Sequence, residues 1–244
     1  MGTGGGRFRH EIESLVDQTE AQPWGPLRPA REPMFNAPWT IVVLCVGLIA
    51  LYAVQSFVLN DPKGQPPAAL TLTPAALAAG HWETLISSLF LHGSWPHVLM
   101  NSLAALAFGP PVARLFGLGP RGALVFLLFY LVCGVAGGLG FVLASPHDQI
   151  GVVGASGAIS GLLGAASRII QGHGRIGPLL GQTVIGMAIA WAVVNVVLGV
   201  SGLTPGAMGM TVAWQAHLAG YAAGVLLVGP FARLAGCGPD DFTQ

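Results

Sequence analysis

Length, composition and charge exclude a water-soluble globule. The chain has 244 residues, of which 53% are hydrophobic and 8% charged, and its mean hydropathy is +0.68, whereas about a quarter of the residues of a soluble domain are charged. Ten basic and ten acidic residues cancel, so no basic field favours nucleic acid. The composition predicts a membrane protein whose immediate partner is the lipid bilayer.

The first 37 residues are polar and rich in Gly, Pro and Arg, without the order of regions that marks a cleavable signal peptide. We expect a disordered cytoplasmic tail over residues 1–37, a membrane domain over 38–236 and a cytoplasmic C-terminal tail over 237–244. The three cysteines lack CxxC spacing, which indicates neither a disulfide framework nor a zinc knuckle.

Six apolar stretches are long enough to cross ~30 Å of hydrocarbon as helices. The fourth is the shortest and is rich in glycine. The predicted fold is therefore all-α, a polytopic bundle of six transmembrane helices with a long outer loop, about 60–95, between the first two. The stretches lie at residues 39–59, 96–113, 122–144, 154–170, 179–200 and 212–234.

Basic residues predict the orientation of the bundle. If the N-terminus is cytoplasmic, nine arginines lie on that side and Lys63 alone lies outside, which is a strong positive-inside pattern. Both termini are then cytoplasmic, and a bacterial inner membrane fits this composition and topology. The nine are Arg7, Arg9, Arg28, Arg31, Arg114, Arg121, Arg168, Arg175 and Arg233.

The outer loop carries its own helix signal. Thr73 followed by Pro74 has the pattern of an N-cap with proline at the first helical position. The apolar run after it is too short to span, so we expect an interfacial or re-entrant segment. For His81, His92 and Trp95, interfacial anchoring or a solvated imidazole is the expected role.

All ten acidic residues lie in the tail, the loops or the C-terminus, so no span contains a carboxylate. An aspartyl protease needs two intramembrane acids that share a proton. A proton-coupled carrier usually needs at least one. The sequence argues against both classes of protein.

Four polar side chains that lie in spans are the functional candidates, because polar groups are costly there. They are His97, Asn101, Ser156 and His217. At ~1.5 Å of rise per residue from the nearest inner arginine, Ser156, Asn101 and His217 lie ~18, ~20 and ~24 Å up. We expect them to converge on one pocket that opens outward.

Two GxxxG pairs lie directly after the serine and after the histidine, Gly157 with Gly161 and Gly220 with Gly224. Small residues at this spacing let transmembrane helices approach closely. If the two faces meet, the Ser156 hydroxyl reaches the imidazole of His217. The same pairs could instead form a homodimer face.

Other roles compete for these residues. A serine in such a helix usually bonds to its own turn, which is the role expected of Ser160 and Ser167. Three histidines could supply nitrogens to zinc, but HExxH, an intramembrane carboxylate and a cysteine partner are all missing, so neither metal nor cofactor is predicted. Together, Ser156 and His217 favour a serine hydrolase.

Three segments then match a family. Gly154-Ala155-Ser156-Gly157, the set of His92, His97 and Asn101, and the run 216–224 (AHLAGYAAG) resemble the rhomboid intramembrane serine proteases over about residues 80–230. The resemblance implies a Ser–His dyad without an acid and places Asn101 and His97 beside the oxyanion. The backbone N–H of Ser156, at a helix start, is the third expected donor.

The sequence departs from the family pattern at three places. Trp82-Glu83 stands where a Trp-Arg pair is usual, the run 109–114 lacks the usual acid, and Ser160 replaces an aromatic one turn after the nucleophile. These differences concern the conformation of the outer loop and the stacking of the histidine.

The resemblance implies endoproteolysis within a transmembrane substrate, near helix-weak residues such as Gly or Ala. We expect the fifth span, with the loop 201–206 after it, to gate entry. A catalytically silent client-binding protein and a small-solute channel are the alternatives, although the retained Ser156 and His217 and the apolar inner halves of two spans argue against them. The substrate and the oligomeric state stay open.

Overall fold

The structure is a computed structural model that describes residues 37–61, 64–201 and 213–242. Six long helices make up most of these described residues. Short helices lie in the outer segment, and the described residues contain no strand. The predicted tail, the arginines before residue 37 and most of the proposed gate loop lie outside these ranges. The helices are α1 Trp39–Val54, α2 Pro74–Ala78, α3 Thr84–Ser87, α4 Trp95–Phe116, α5 Pro120–Ala144, α6 Ser156–Gln171, α7 Gln182–Ser201 and α8 Trp214–Ala235.

The all-α, polytopic prediction is confirmed. Within the described part of the chain, five helices are long and apolar enough to cross a membrane: α1 with the π-helical turn Gln55–Leu59 that continues it, α4, α5, α7 and α8. The fourth predicted span is α6, whose 16 residues rise ~24 Å. The sixth crossing therefore stays a prediction.

Helix α6 lies at the centre of the bundle and packs against α4, α5, α7 and α8. Twelve of its 16 residues are buried. By contrast, α7 is the most exposed of the five apolar spans. Only 11% of its most apolar 18-residue stretch is buried, against 28% to 50% in the other four.

Glycines allow α6 and α8 to touch at backbone level. A Cβ placed on Gly220 would lie 3.3 Å from the Cα of Gly157, and one on Gly224 would lie 2.7 Å from the Cα of Gly161. The two GxxxG pairs thus lie against each other within the chain, which is the arrangement that close helix packing requires.

The outer segment is tied to the connection that leads into α6. Its helix α2 begins as the sequence predicts, because the Thr73 hydroxyl accepts from the N–H of Ala76 at 2.9 Å.

Backbone hydrogen bonds join the outer segment to this connection. Leu72 and Val152 exchange backbone hydrogen bonds. The N–H of Gly154 donates to the Ser88 carbonyl at 2.9 Å. The segment therefore positions the residues directly before Ser156.

Several helix ends meet at the opposite end of the bundle. The guanidinium of Arg121, at the start of α5, donates to the Leu234 carbonyl near the end of α8. The Cys237 thiol donates to the Leu115 carbonyl, and the N–H of Ile176 donates to the Asp241 carbonyl. The chain beyond α8 thus packs against the bundle as far as residue 242.

Candidate active site

Ser156 is the first residue of α6, and the residues before it make a sharp turn. Gly154 has a φ of +122°, which an L side chain rarely adopts. A Cβ at this position would also lie 2.8 Å from the ring of His97. Glycine is therefore required at residue 154 for both conformation and space.

His217 lies one turn into α8 and faces the start of α6. Its Nε2 lies 2.7 Å from the Oγ of Ser156. This distance is within the range in which a base can remove a proton from a nucleophilic hydroxyl. The structure thus brings together the serine and the histidine that the sequence singled out.

The second ring nitrogen of His217 meets a residue that the sequence analysis missed. Nδ1 is hydrogen-bonded to the Oδ1 of Asn195 on α7. The Nδ2 of this amide donates to the Trp191 carbonyl at 2.8 Å. Asn195 is only 2% exposed. The sequence does contain a signal for Asn195, because its amide lies inside a predicted span, where a polar group is as costly as it is at Asn101.

An aromatic ring from α7 lies beside the histidine. The centroid of Trp191 is 5.9 Å from that of His217, with the ring planes tilted by 34°. The position one turn after Ser156 is Ser160, whose hydroxyl donates to the Ser156 carbonyl at 2.8 Å. Ser160 thus bonds within its own helix, as expected, and α7 supplies the aromatic neighbour.

Asn101 and His97 lie on α4 and approach the turn before Ser156. Asn101 is buried, and its Nδ2 has no hydrogen-bond partner among the described residues. The N–H of Gly93 points at the Nδ1 of His97 at 3.4 Å. A neutral His97 that accepts there carries its proton on Nε2. Both side chains therefore have an N–H to offer near Gly154.

His92 is not the solvated or interfacial imidazole that the sequence suggested. It is fully buried, edge-on to the rings of Tyr52 and His97. The Gln55 side chain holds its backbone from both sides, donating to the His92 carbonyl at 2.7 Å and accepting from its N–H at 2.9 Å. Burial, and to a smaller extent His97, lowers the pKa of His92 to about 3. The ring is therefore neutral at physiological pH.

The other residues singled out in the outer segment are exposed. His81 Nδ1 lies 3.0 Å from a carboxylate oxygen of Glu83 at the surface. Trp95 is 41% exposed and stands edge-on to Tyr52. Both positions agree with the interfacial or solvated roles expected of them.

A zinc site has little structural support. The rings of His92 and His97 lie 5.1 Å apart, edge to face. Across residues 37–61, 64–201 and 213–242, no three His, Cys, Asp or Glu side chains are grouped as metal ligands. The expectation that the site needs neither metal nor cofactor stays a prediction.

Comparison with known proteins identifies the family. The model of the rhomboid domain matches residues 79–233, which is more than half of the chain. The chain belongs to the rhomboid family. This match includes all four polar residues that the sequence analysis placed in the site, from His97 to His217.

Curated rhomboid proteins match parts of the chain. Rhomboid protease GluP of Bacillus subtilis is 38% identical over 89 residues, covering 36% of this chain and 16% of that protein. RHOMBOID-like protein 9 of Arabidopsis thaliana is also 38% identical over 89 residues, covering 36% and 19%. RHOMBOID-like protein 4 of the same plant is 29% identical over 220 residues, covering 78% and 52%. The chain thus spans about half or less of the length of these relatives.

Proposed function

We propose that this rhomboid is an intramembrane serine endopeptidase that cleaves peptide bonds in or near transmembrane segments of other proteins. The observation that carries the proposal is the 2.7 Å contact between His217 Nε2 and Ser156 Oγ at the start of a buried helix. Rhomboid membership supports it, as does the absence of any carboxylate from the described helices that carry these two residues.

The proposed reaction begins with His217 as general base. Its Nε2 takes the hydroxyl proton while the Oγ of Ser156 attacks the scissile carbonyl carbon. The protonated imidazole then gives this proton to the leaving amine, the C–N bond breaks, and an acyl-enzyme remains. Water loses a proton to His217 and attacks the ester carbonyl carbon. The bond from this carbon to the Oγ of Ser156 then breaks, His217 returns the proton to Oγ, and the carboxyl product leaves.

Three N–H groups are proposed to stabilise the oxyanion. The first N–H groups of a helix have no acceptor within it, so the amide of Ser156 is available and the helix dipole favours negative charge there. The Nδ2 of Asn101 and the Nε2 of His97 supply two further donors from α4. Such donors are effective because they are oriented before charge develops.

We propose that the substrate enters beside α7. This helix has the smallest buried share among the five apolar spans, so its displacement disturbs little of the packed interior. The substrate must also unwind locally, since its backbone groups are satisfied within a helix while it lies in lipid. Helix-weak residues such as Gly and Ala are therefore expected near the cleaved bond.

For location, we propose a bacterial inner membrane with both termini in the cytoplasm. Support comes from the arginines at the ends of helices that share one end of the bundle, including Arg114, Arg121 and Arg233. Cytoplasmic segments carry an excess of Lys and Arg.

The decisive experiment is cleavage of a fluorescently labelled transmembrane substrate by the purified protein in liposomes. We expect Ser156→Ala and His217→Ala each to lower turnover at least ~10³-fold. Ser167→Ala is the matched control, because this buried serine lies about three turns further along the same helix, where it donates to the Gly164 carbonyl and accepts from the Tyr221 hydroxyl. The Tyr221 hydroxyl keeps a second acceptor, the Val184 carbonyl at 2.8 Å, in this variant. Labelling of Ser156 by a fluorophosphonate reports nucleophilicity independently.

Three outcomes would contradict the proposal. Undiminished cleavage by Ser156→Ala or by His217→Ala would show that the Ser–His dyad is not the catalytic machinery. Loss of activity on metal chelation would support a zinc site instead. A wild-type protein that binds a range of transmembrane segments without turnover would be a client-binding protein rather than a protease.

A further inference from the structure

We infer that Asn195 of α7 is a positioning residue that sets the tautomer and the orientation of His217. The inference rests on the proposed Ser–His mechanism and adds a third group to it. It follows from a chain of hydrogen bonds that starts at a backbone carbonyl on α7 and ends at the Ser156 hydroxyl.

The backbone fixes which way the Asn195 amide points. On one side, the amide contacts the backbone carbonyl oxygen of Trp191, four residues earlier in the helix. A carbonyl oxygen can only accept a hydrogen bond. The NH₂ group of Asn195 must therefore face Trp191. The amide oxygen is left to face the ring of His217.

The amide oxygen in turn fixes the proton on the histidine. A carbonyl oxygen has only lone pairs, so His217 Nδ1 must carry the hydrogen in this contact. In the neutral ring, Nε2 is then the acceptor. Its lone pair faces the Oγ of Ser156, which donates at 2.7 Å. This is the tautomer that a general base for Ser156 requires.

The placement of Asn195 also indicates a role at the site. Its helix exposes most of its apolar side chains, yet Asn195 is 2% exposed. It lies 13 residues from the inner end of α7, a rise of ~20 Å, which is the level estimated for Asn101 and close to that of Ser156. A buried amide costs free energy unless its groups are hydrogen-bonded. Here both the oxygen and the NH₂ group have partners.

The three linked side chains belong to three different helices. Ser156 is on α6, His217 on α8 and Asn195 on α7. The orientation of the imidazole therefore depends on α7 being packed against the other two. Because α7 is also the proposed entry element, its return after substrate entry would restore the reactive tautomer.

Four variants in the liposome cleavage assay test the inference. Asn195→Ala and Asn195→Leu remove the acceptor, and we expect kcat to fall roughly 10²-fold with KM little changed, the lower end of what a positioned general base contributes. Asn195→Asp keeps an acceptor oxygen at the same position and should recover most of the activity. Val194→Ala, at the exposed neighbouring position, is the control and should match wild type.

The order of the variants separates positioning from packing. If Asn195 only fills space or caps the turn at Trp191, Asn195→Leu will be at least as active as Asn195→Asp, because the aspartate adds a charge to an apolar surrounding. That order, or a wild-type kcat in Asn195→Leu, would overturn the inference.

The tautomer can be read directly, without turnover. In ¹⁵N-histidine NMR spectra, assigned by difference against His217→Ala, wild type should show His217 protonated at Nδ1. Asn195→Leu should show a mixture of tautomers. A wild-type ring protonated at Nε2 would refute the inference.

Failure of the proposed function gives a different result. If the wild type does not cleave, or if Ser156→Ala cleaves equally well, the protease proposal fails while the NMR result still decides the role of Asn195. If Ser156→Ala is inactive and Asn195→Leu is fully active, only the positioning role fails.

Discussion

At the scale of single residues, the site contains hydrogen-bond donors that the folded chain leaves unused. The clearest is the Nδ2 of Asn101, which is buried without a partner among the described residues. A buried donor left unsatisfied costs ~1–3 kcal/mol. An oxyanion would accept a hydrogen bond from this donor as negative charge develops in the transition state, so the stabilisation appears there and not in the ground state.

We therefore predict that Asn101→Ala lowers kcat by ~10²–10³-fold, the usual effect of losing one oxyanion donor, with a small change in KM. The measurement is steady-state cleavage in liposomes. Ser102→Ala is the control, since the neighbouring hydroxyl donates to the Val98 carbonyl of its own helix and should be dispensable. An Asn101→Ala variant with normal kcat would exclude this residue from oxyanion binding.

Much of the site could be predicted at this scale, because polar side chains in apolar spans are conspicuous. Ser156, His217 and Asn101 are identifiable for this reason. The same reasoning applies to Asn195, although it is not among the residues that resemble the family. The burial of His92 could not be predicted, because the group that holds its backbone, Gln55, is 37 positions away.

At the scale of helices, the contact between α6 and α8 sets the distance between serine and histidine. We predict that Gly224→Ala destabilises the fold by roughly 1–3 kcal/mol, because the added methyl would lie 2.7 Å from the Cα of Gly161 and must push the helices apart. Labelling of Ser156 by a fluorophosphonate should slow as well. Thermal unfolding in detergent measures the first effect.

Gly186→Ala is the matched control for this change. It adds the same methyl group to α7, where nothing lies within 4 Å. Its melting temperature should equal or slightly exceed that of wild type, since alanine favours helix more than glycine does. Equal effects of the two substitutions would show that the α6–α8 contact does not limit stability.

The helices themselves were largely predictable, because each apolar stretch is bounded by Pro, Gly or polar residues. The observed bounds of five spans lie within three residues of the predicted ones at every end. The π-helical turn Gln55–Leu59 could not be predicted, since it depends on the tertiary contact of Gln55 with His92. Nor does hydropathy show which helix lies at the centre.

At the scale of the whole molecule, the distribution of arginines predicts which end of the bundle faces the cytoplasm. Two exposed histidines provide a matched pair of probes, His147 between α5 and α6 and His173 between α6 and α7. In a cysteine-free background, we predict that His147→Cys reacts with an impermeant maleimide added to intact spheroplasts. His173→Cys should react only after lysis.

The control is the reactivity of both cysteines in detergent, which should be similar because both side chains are exposed. Reaction of His173→Cys in intact spheroplasts, with His147→Cys protected, would reverse the proposed orientation. Reaction of both from outside would mean that α6 and its neighbours do not separate two compartments.

The shortness of α6 has a consequence for the surrounding lipid. A lipid-facing helix that is too short must thin the bilayer or draw its flanking residues inward. Helix α6 is instead enclosed by α4, α5, α7 and α8, so acyl chains adapt to the length of the enclosing helices. The protein can thus hold Ser156, the proposed nucleophile at the start of this helix, below the membrane surface without imposing elastic strain on the bilayer.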